Sequence, residues 1–204
     1  MADTYIPDNP LIVQSDRTVL LEVHSPLADA ARDAIAPFAE LVKSPEHIHS
    51  YRISPLSVWN ARAAGLSVVA MIAALNEYAK YPIPDSIARE IETLGERYGL
   101  TVIERAEQHL LLRIADKPLA ELLVRDRRVT PFLAGRLTDT QFRVETSHRG
   151  VLKQALLAVG YPAEDIAGYV EGEALALRLR STSASGQTLS LRAYQQEAAD
   201  SFFQ

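Results

Sequence analysis

The chain has 204 residues, 48% hydrophobic and 23% charged, with a formal net charge of −5; this is globular composition, long enough to bury a core in one large or two small domains, and it excludes an intrinsically disordered chain. With no cysteine, disulfides, thiolate metal sites and cysteine nucleophiles are excluded. No apolar run approaches the roughly 20 residues that cross a bilayer, and the polar opening Met1-Ala2-Asp3-Thr4-Tyr5 is not a signal peptide, so a soluble, cytoplasmic protein without membrane contact is expected.

Along the chain, Leu11-Ile12-Val13-Gln14 and Thr18-Val19-Leu20-Leu21-Glu22-Val23 read as strands around the turn Ser15-Asp16-Arg17. Ser25 and Pro26 start a helix, because the hydroxyl accepts from a free backbone N–H and proline suits the first helical position. That helix runs through Ala28 to about Ala36, with a break near Pro37. His47 to Ile53 is a strand. Ser54-Pro55 repeats the cap signature before a helix from Leu56 to Ala64 closed by Gly65, and Ser67 caps the next, Val68 to Tyr78. Tyr81-Pro82-Ile83-Pro84 forces an extended turn, since residues before proline avoid the helical region. A helix restarts at Asp85 or Ser86 and ends near Tyr98-Gly99.

Leu100 to Glu104 and His109 to Ile114 are strands, followed by a helix near Pro118–Val124, a strand near Gln141–Glu145 and a helix Val151–Val159 closed by Gly160. Pro162 and the polar turn Glu164-Asp165 lead into a short helix or turn, Ile166 to Val170. Ala174 to Leu179 alternates as a strand, and Ser181 to Thr188 has linker composition.

The predicted class is α+β. The order strand, strand, helix, strand, helix occurs from Leu11 to Gly65 and again from Leu100 to Gly160, a weak internal repeat or a coincidence of short elements. Between them, two helices joined by a proline turn and followed by a hairpin have the winged-helix layout. The expected organisation is an N-terminal α/β unit (1–66), a winged-helix-like segment (67–114), a second α/β unit (115–180), and a linker with a terminal helix (181–204). The second winged helix carries Asp85, Glu90, Glu92 and Glu96 against Arg89 and Arg97. Carboxylates face phosphates badly, so this helix suits docking on protein.

DNA contact therefore falls to a local patch. From Arg113 to Lys153 nine basic residues stand against five acidic ones, +4 in an otherwise acidic chain. The candidates are Arg125, Arg127, Arg128, Arg143, Arg149 and Lys153; the alternative is an ordinary solvated surface. On the helix after Pro55, Leu56, Trp59 and Ala63 share one face, with Trp59 as a buried anchor. Asn60 and Arg62 lie off that face as partner-contact candidates. His47 and His49 fall on one side of a strand, with His24, His109 or His148 as a third metal ligand only if the fold brings one near; the simpler reading is a half-exposed strand. No nucleophile elbow or phosphate-binding loop is present, and no catalytic constellation emerges.

The segment Leu189-Ser190-Leu191-Arg192-Ala193-Tyr194-Gln195-Gln196-Glu197-Ala198 resembles the opening motif of superfamily-two helicases, Leu-Arg-x-Tyr-Gln-x-x-Ala. Further stretches, among them Asn9-Pro10-Leu11-Ile12-Val13-Gln14-Ser15-Asp16, Tyr51-Arg52-Ile53-Ser54-Pro55-Leu56 and Gly168-Tyr169-Val170-Glu171-Gly172-Glu173-Ala174, are similar to the N-terminal region of bacterial XPB-type DNA repair helicases. The resemblance covers nearly the whole chain. It implies an ATP-dependent 3′-to-5′ helicase or translocase of nucleotide excision repair, with Arg192 and Gln195 beside the adenine and a damage-recognition-like part at about 138–180. Implied partners are DNA, held weakly, a repair protein and the rest of the motor. ATP and Mg2+ are implied for the full helicase and no cofactor for this chain, which stops at Gln204 before any phosphate loop, DEAH-type box or arginine finger. The expectation is a non-catalytic fragment or truncated product; a stand-alone winged-helix adaptor is the alternative.

Overall fold

The computed structural model describes residues 5–107, 109–168, 180, 182–183, 185–188 and 190–202. Strands β1 (Leu11–Val13) and β2 (Thr18–Glu22) form the predicted hairpin. Asp16 Oδ1 accepts the Thr18 N–H at 3.0 Å, and Arg17 takes the left-handed φ of 72° that closes the turn. Along β2, Val19 and Leu21 are buried while Thr18, Leu20 and Glu22 are half-buried, the period of two expected of a sheet with one core face. β3 (Glu40–Lys43) and β4 (Ile48–Arg52) complete an antiparallel sheet in the order β1-β2-β4-β3.

Four helices cover its inner face: α1 (Ala28–Ile35), α2 (Pro55–Ala63), α3 (Val68–Tyr78) and α4 (Asp85–Arg97). Val19, Leu21 and Tyr51 from the sheet meet Ile35, Trp59, Met71, Leu75 and Ile91 in one core. Each such side chain contributes about 1.5–3 kcal/mol on burial. α3 and α4 approach so closely that a Cβ on Gly95 would lie 2.2 Å from Val68 Cγ2.

A second sheet holds β5 (Thr101–Ala106), β6 (His109–Ile114), β7 (Gly135–Arg136), β8 (Gln141–Val144) and β9 (Ala163–Asp165), in the order β7-β8-β6-β5-β9. Ile103, Leu112 and Phe142 stand in one row across β5, β6 and β8. They pack with Leu119, Ala120 and Leu123 of α5 (Lys117–Arg125) and Leu152 and Leu156 of α6 (Arg149–Val159) in a separate core. β9 alone is parallel, running beside β5. Gly160, at φ 90°, ends α6 in the left-handed region where a Cβ would be strained.

The two sheets follow one plan. Both runs read strand, strand, helix, strand, strand, helix, and β1-β2-β4-β3 has the same spatial order as β5-β6-β8-β7. Each run contains one strand more than the sequence pattern suggests, the short edge strands β3 and β7. The winged-helix-like segment divides between the cores: α3 and α4 pack in the first, and the β5–β6 hairpin centres the second.

Three local readings change. The first helix begins at Ala28 rather than at Pro26, with Leu27 at its N-cap, and the Ser25 hydroxyl accepts the Leu27 N–H while donating to the Asp8 carbonyl at 3.1 Å. Glu164 and Asp165 lie in β9 rather than a polar turn, and Ile166 to Gly168 do not form a helix. The strand read at Ala174–Leu179, with the rest of 169–179 in the part at 138–180, lies outside the described residues. The C-terminal unit, from residue 169, contains a bridge between Thr182 and Thr188 and the helix α7 (Ala193–Phe202). Among the described residues no single helix is long and apolar enough to cross a membrane.

Candidate interaction groove and basic surface

Helix α2 is held rigidly. Ser54 and Ser57 form a reciprocal capping box at 3.0 and 2.9 Å, Pro55 sits in the first turn, and the Ser57 hydroxyl donates to the Phe38 carbonyl at 2.7 Å. The Trp59 indole N–H donates to the Leu94 carbonyl at 2.8 Å, so the ring is anchored between α2 and α4. Leu56, Trp59, Asn60 and Ala63, at helical spacing i, i+3, i+4 and i+7, form one wall of a cavity of about 570 Å3. Lys153, Gln154 and Leu157 of α6 and the β9 segment 162–166 supply the opposite side. Asn60 is exposed and shares this wall with Leu56 and Ala63. Arg62 turns inward: it is half-buried, its Nη1 donates to the Leu66 carbonyl at 3.2 Å, and its buried Nε has no partner among the described residues.

Asp165 forms the polar end of the groove. Its side chain is only 8% exposed. Arg149 grips it bidentately, Nη2 to Oδ1 at 2.7 Å and Nε to Oδ2 at 2.9 Å, and Lys153 Nζ reaches Oδ2 at 2.9 Å. Burial pushes this carboxyl up, but the hydrogen bonds from Arg149, Lys153 and the Ala167 N–H outweigh it and hold it at about 2. Tyr98, on the same lining, is pushed above its ordinary value by burial and by the Glu164 charge. Sequence reasoning missed Asp165, Tyr98 and Gln154. The available signal was Arg149 and Lys153 four residues apart on one helix face, which asks for an acceptor.

The six basic candidates do not share one surface. Arg125 pairs with Glu121 at 3.8 Å, and Arg128 with Asp126 at 2.7 Å and the Ala158 carbonyl at 3.0 Å. The hydrogen bonds from Arg128 hold the Asp126 carboxyl at about 2. Arg127 is exposed and has no ion-pair partner among the described residues. Arg143 pairs with Glu145 at 3.4 Å, on the face of the second sheet opposite buried Phe142 and Val144. Arg149 and Lys153 are committed to Asp165. Ala158 and Arg149 stand at opposite ends of α6, about 14 Å apart at the rise of a helix, so the Arg125–Arg128 and Arg149–Lys153 groups are separate.

His24 Nε2 and His47 Nδ1 lie 2.8 Å apart, whereas His49 pairs in register with buried Leu21 on the core side. Among the described residues no group of three or more His, Asp or Glu side chains is placed to hold a metal. In the C-terminal unit, Arg192 and Gln195 are exposed at the start of α7. Gln195 Oε1 accepts the Arg192 backbone N–H at 3.0 Å, which closes the first turn, and its amide nitrogen has no partner among the described residues.

This fold, with its groove and divided basic surface, is one of a helicase-associated α+β class: residues 11–138 match the family described as "Helicase conserved C-terminal domain", and the chain belongs to that family. It is 47% identical over 197 residues to "DNA 3'-5' helicase XPB" of Mycobacterium tuberculosis and 46% identical over 197 residues to the protein of the same name from Kineococcus radiotolerans. Both alignments cover 96% of this chain, and 35% and 34% of those relatives. A "General transcription and DNA repair factor IIH helicase/translocase subunit XPB" of Antonospora locustae is 27% identical over 199 residues, 95% of this chain and 28% of that relative. The chain thus spans about a third of the length of the curated relatives it matches.

Proposed function

We propose that the chain is the partner- and DNA-binding region preceding the motor of an XPB-type, ATP-dependent 3′-to-5′ DNA helicase or translocase of nucleotide excision repair, and that it is non-catalytic alone. The observation that carries this reading is identity of 47% and 46% to two bacterial relatives named as XPB helicases, sustained over 96% of the chain. The likeness of 189–198 to the opening motif of superfamily-two helicases, after the family match at 11–138, supports a motor that follows this region.

For the full helicase the cofactors are ATP and Mg2+. Arg192 and Gln195 fit an adenine: both are exposed, and the Gln195 amide keeps its donor uncommitted while its oxygen has a second lone pair. Within this chain the work is binding. The groove of about 570 Å3 has Leu56 and Trp59 on one wall and Leu157 on the other, with the amides of Asn60 and Gln154 in its lining, a mixture that suits a segment of a partner protein. The word "subunit" in the names of the eukaryotic relatives supports a partner of this kind. DNA contact is weak and falls to Arg127, since the other basic candidates are balanced by carboxylates.

Exposed Glu92 and Glu96 on α4 favour protein rather than nucleic acid at that helix, which keeps the stand-alone adaptor as the competing reading. One experiment separates the two: ATP hydrolysis by the 204-residue chain and by the same chain continued through the downstream sequence of its gene. The helicase reading expects none from the first and DNA-stimulated hydrolysis from the second. Hydrolysis by the chain alone, or a downstream sequence without a motor, rejects it.

A further inference from the structure

Four sheet edges close the two sheets, and three of them are blunted. The β1 edge is covered by a parallel bridge from Leu11 to Ala79 and by the Lys80 N–H donating to the Leu11 carbonyl at 2.7 Å. β9, the edge next to β5, has only three residues, all half-buried, and its Asp165 is tied to Arg149 and Lys153 of α6. β7 at the far end of the second sheet has only two residues, Gly135 and Arg136. The fourth edge, β3, is different. It has four residues, pairs on one side only with β4, and every residue is exposed, with Leu41 and Val42 each 55% accessible. An unpaired row of backbone N–H and C=O groups flanked by apolar side chains is a template for another strand, and proteins rarely leave one open without use.

We infer that β3 is a homotypic docking edge, on which a second copy of this chain adds its own β3 antiparallel to make a continuous eight-stranded sheet. The charge order along the strand argues for a copy of the same chain. β3 reads Glu40-Leu41-Val42-Lys43, a carboxylate at one end, an ammonium at the other and the apolar pair between. Run antiparallel about a two-fold axis, each Glu40 end meets the partner's Lys43 end and the apolar residues gather at the centre, as an isologous interface requires. Lys43 has no ion-pair partner among the described residues. Glu40 is steadied by the Ser54 hydroxyl, which donates to its Oε1 at 2.8 Å. The irregular register between Leu41 and Lys43 bends the strand locally and limits the contact to a short one, so the association is weak, in the low range of interface sizes.

The test is sedimentation of the 204-residue chain from about 5 to about 500 μM, a range that brackets weak association, with amide exchange of β3 followed in parallel. The expected result is a concentration-dependent rise toward twice the monomer mass, with increased protection at Leu41 to Lys43. Val42→Pro, which places a residue without an N–H in the middle of the edge strand, and Leu41→Lys, which sets like charges against each other, should each weaken the dimer at least about tenfold. Both sites are exposed, and circular dichroism confirms that the variants fold. A monomer throughout the range overturns the inference, and so does a dimer that survives both substitutions.

Discussion

Asp165→Asn is the most informative single change, because one carboxylate joins α6 to β9 at the end of the groove. In the parent, Arg149 and Lys153 hold the carboxyl at about 2 against an ordinary 3.8. At about 1.4 kcal/mol per pH unit this depression is worth about 2 kcal/mol. With a side chain 8% exposed, Asp165 is little screened, although Lys153 is 42% exposed and recovers hydration when its partner is lost. The neutral amide also leaves Arg149 without its bidentate acceptor, so a loss of about 2–3 kcal/mol at pH 7 is expected, below the larger cost of breaking a fully buried pair. The sign with pH is fixed. The folded pKa is depressed, so the stabilisation is present above the unfolded value near 3.8 and is lost as pH falls toward the folded value, because the unfolded chain takes up the proton first. The gap between parent and variant should therefore shrink by about 1 kcal/mol between pH 7 and pH 3. Urea unfolding followed by the single tryptophan, Trp59, measures it directly. A variant as stable as the parent at pH 7, or a gap that does not change down to pH 3, refutes the assignment of this ion cluster as a clasp.

Two further outcomes follow from close geometry and from charge. Gly95→Ala gains about 1 kcal/mol in helix propensity but drives a Cβ to 2.2 Å from Val68 Cγ2. Overpacking of about 1–3 kcal/mol outweighs the gain, so the variant should melt lower, and Val68→Ala in the same chain should recover part of the loss in a double-mutant cycle. Additive effects would place Gly95 outside the contact. For DNA, Arg127→Ala should lower the slope of log affinity against log salt by about 0.9, the value for one phosphate contact. Fluorescence anisotropy between about 50 and 200 mM salt reads it, and an unchanged slope removes Arg127 from the surface that meets DNA.

Local chemistry was legible in the sequence and long-range pairing was not. Ser54 and Ser67 cap α2 and α3 as expected, because an N-cap is decided within three residues. Ser25 stands before the helix: its hydroxyl accepts the Leu27 N–H and donates to the Asp8 carbonyl 17 residues earlier, and the helix itself starts at Ala28. β3 and β7 were unread because each is short and only its pairing with a later strand makes it a strand. Glu164 and Asp165 have the composition of a turn. They become a strand because β9 lies beside β5 about 60 residues upstream, with Thr101 Oγ1 donating to the Pro162 carbonyl at 3.2 Å. The basic stretch from Arg113 to Lys153 is real in sequence, but folding distributes it over a helix end, a sheet face and an internal clasp. Asn60, read as lying off the face of Leu56, Trp59 and Ala63, lines the same groove wall as they do, and Arg62 is drawn inward by the carbonyl of Leu66.

The place of the groove follows from the repeated plan. α2 is the closing helix of the first strand–strand–helix–strand–strand–helix run and α6 the closing helix of the second. Each buries one side in its own core, through Val58 and Trp59 in α2 and Leu152 and Leu156 in α6. On the other side, Leu56 and Leu157 remain 45% and 36% exposed. β9, the one strand that the first run lacks, brings Asp165 to the gap, where Arg149 and Lys153 fix it instead of a hydrophobic seam. Two similar units joined in this way leave a cleft with apolar walls and a rigid charged end rather than a closed core. The open side of the cleft is thus lined by Leu56 and Asn60 of α2 and by Gln154 and Leu157 of α6, with the Asp165 ion cluster at its end.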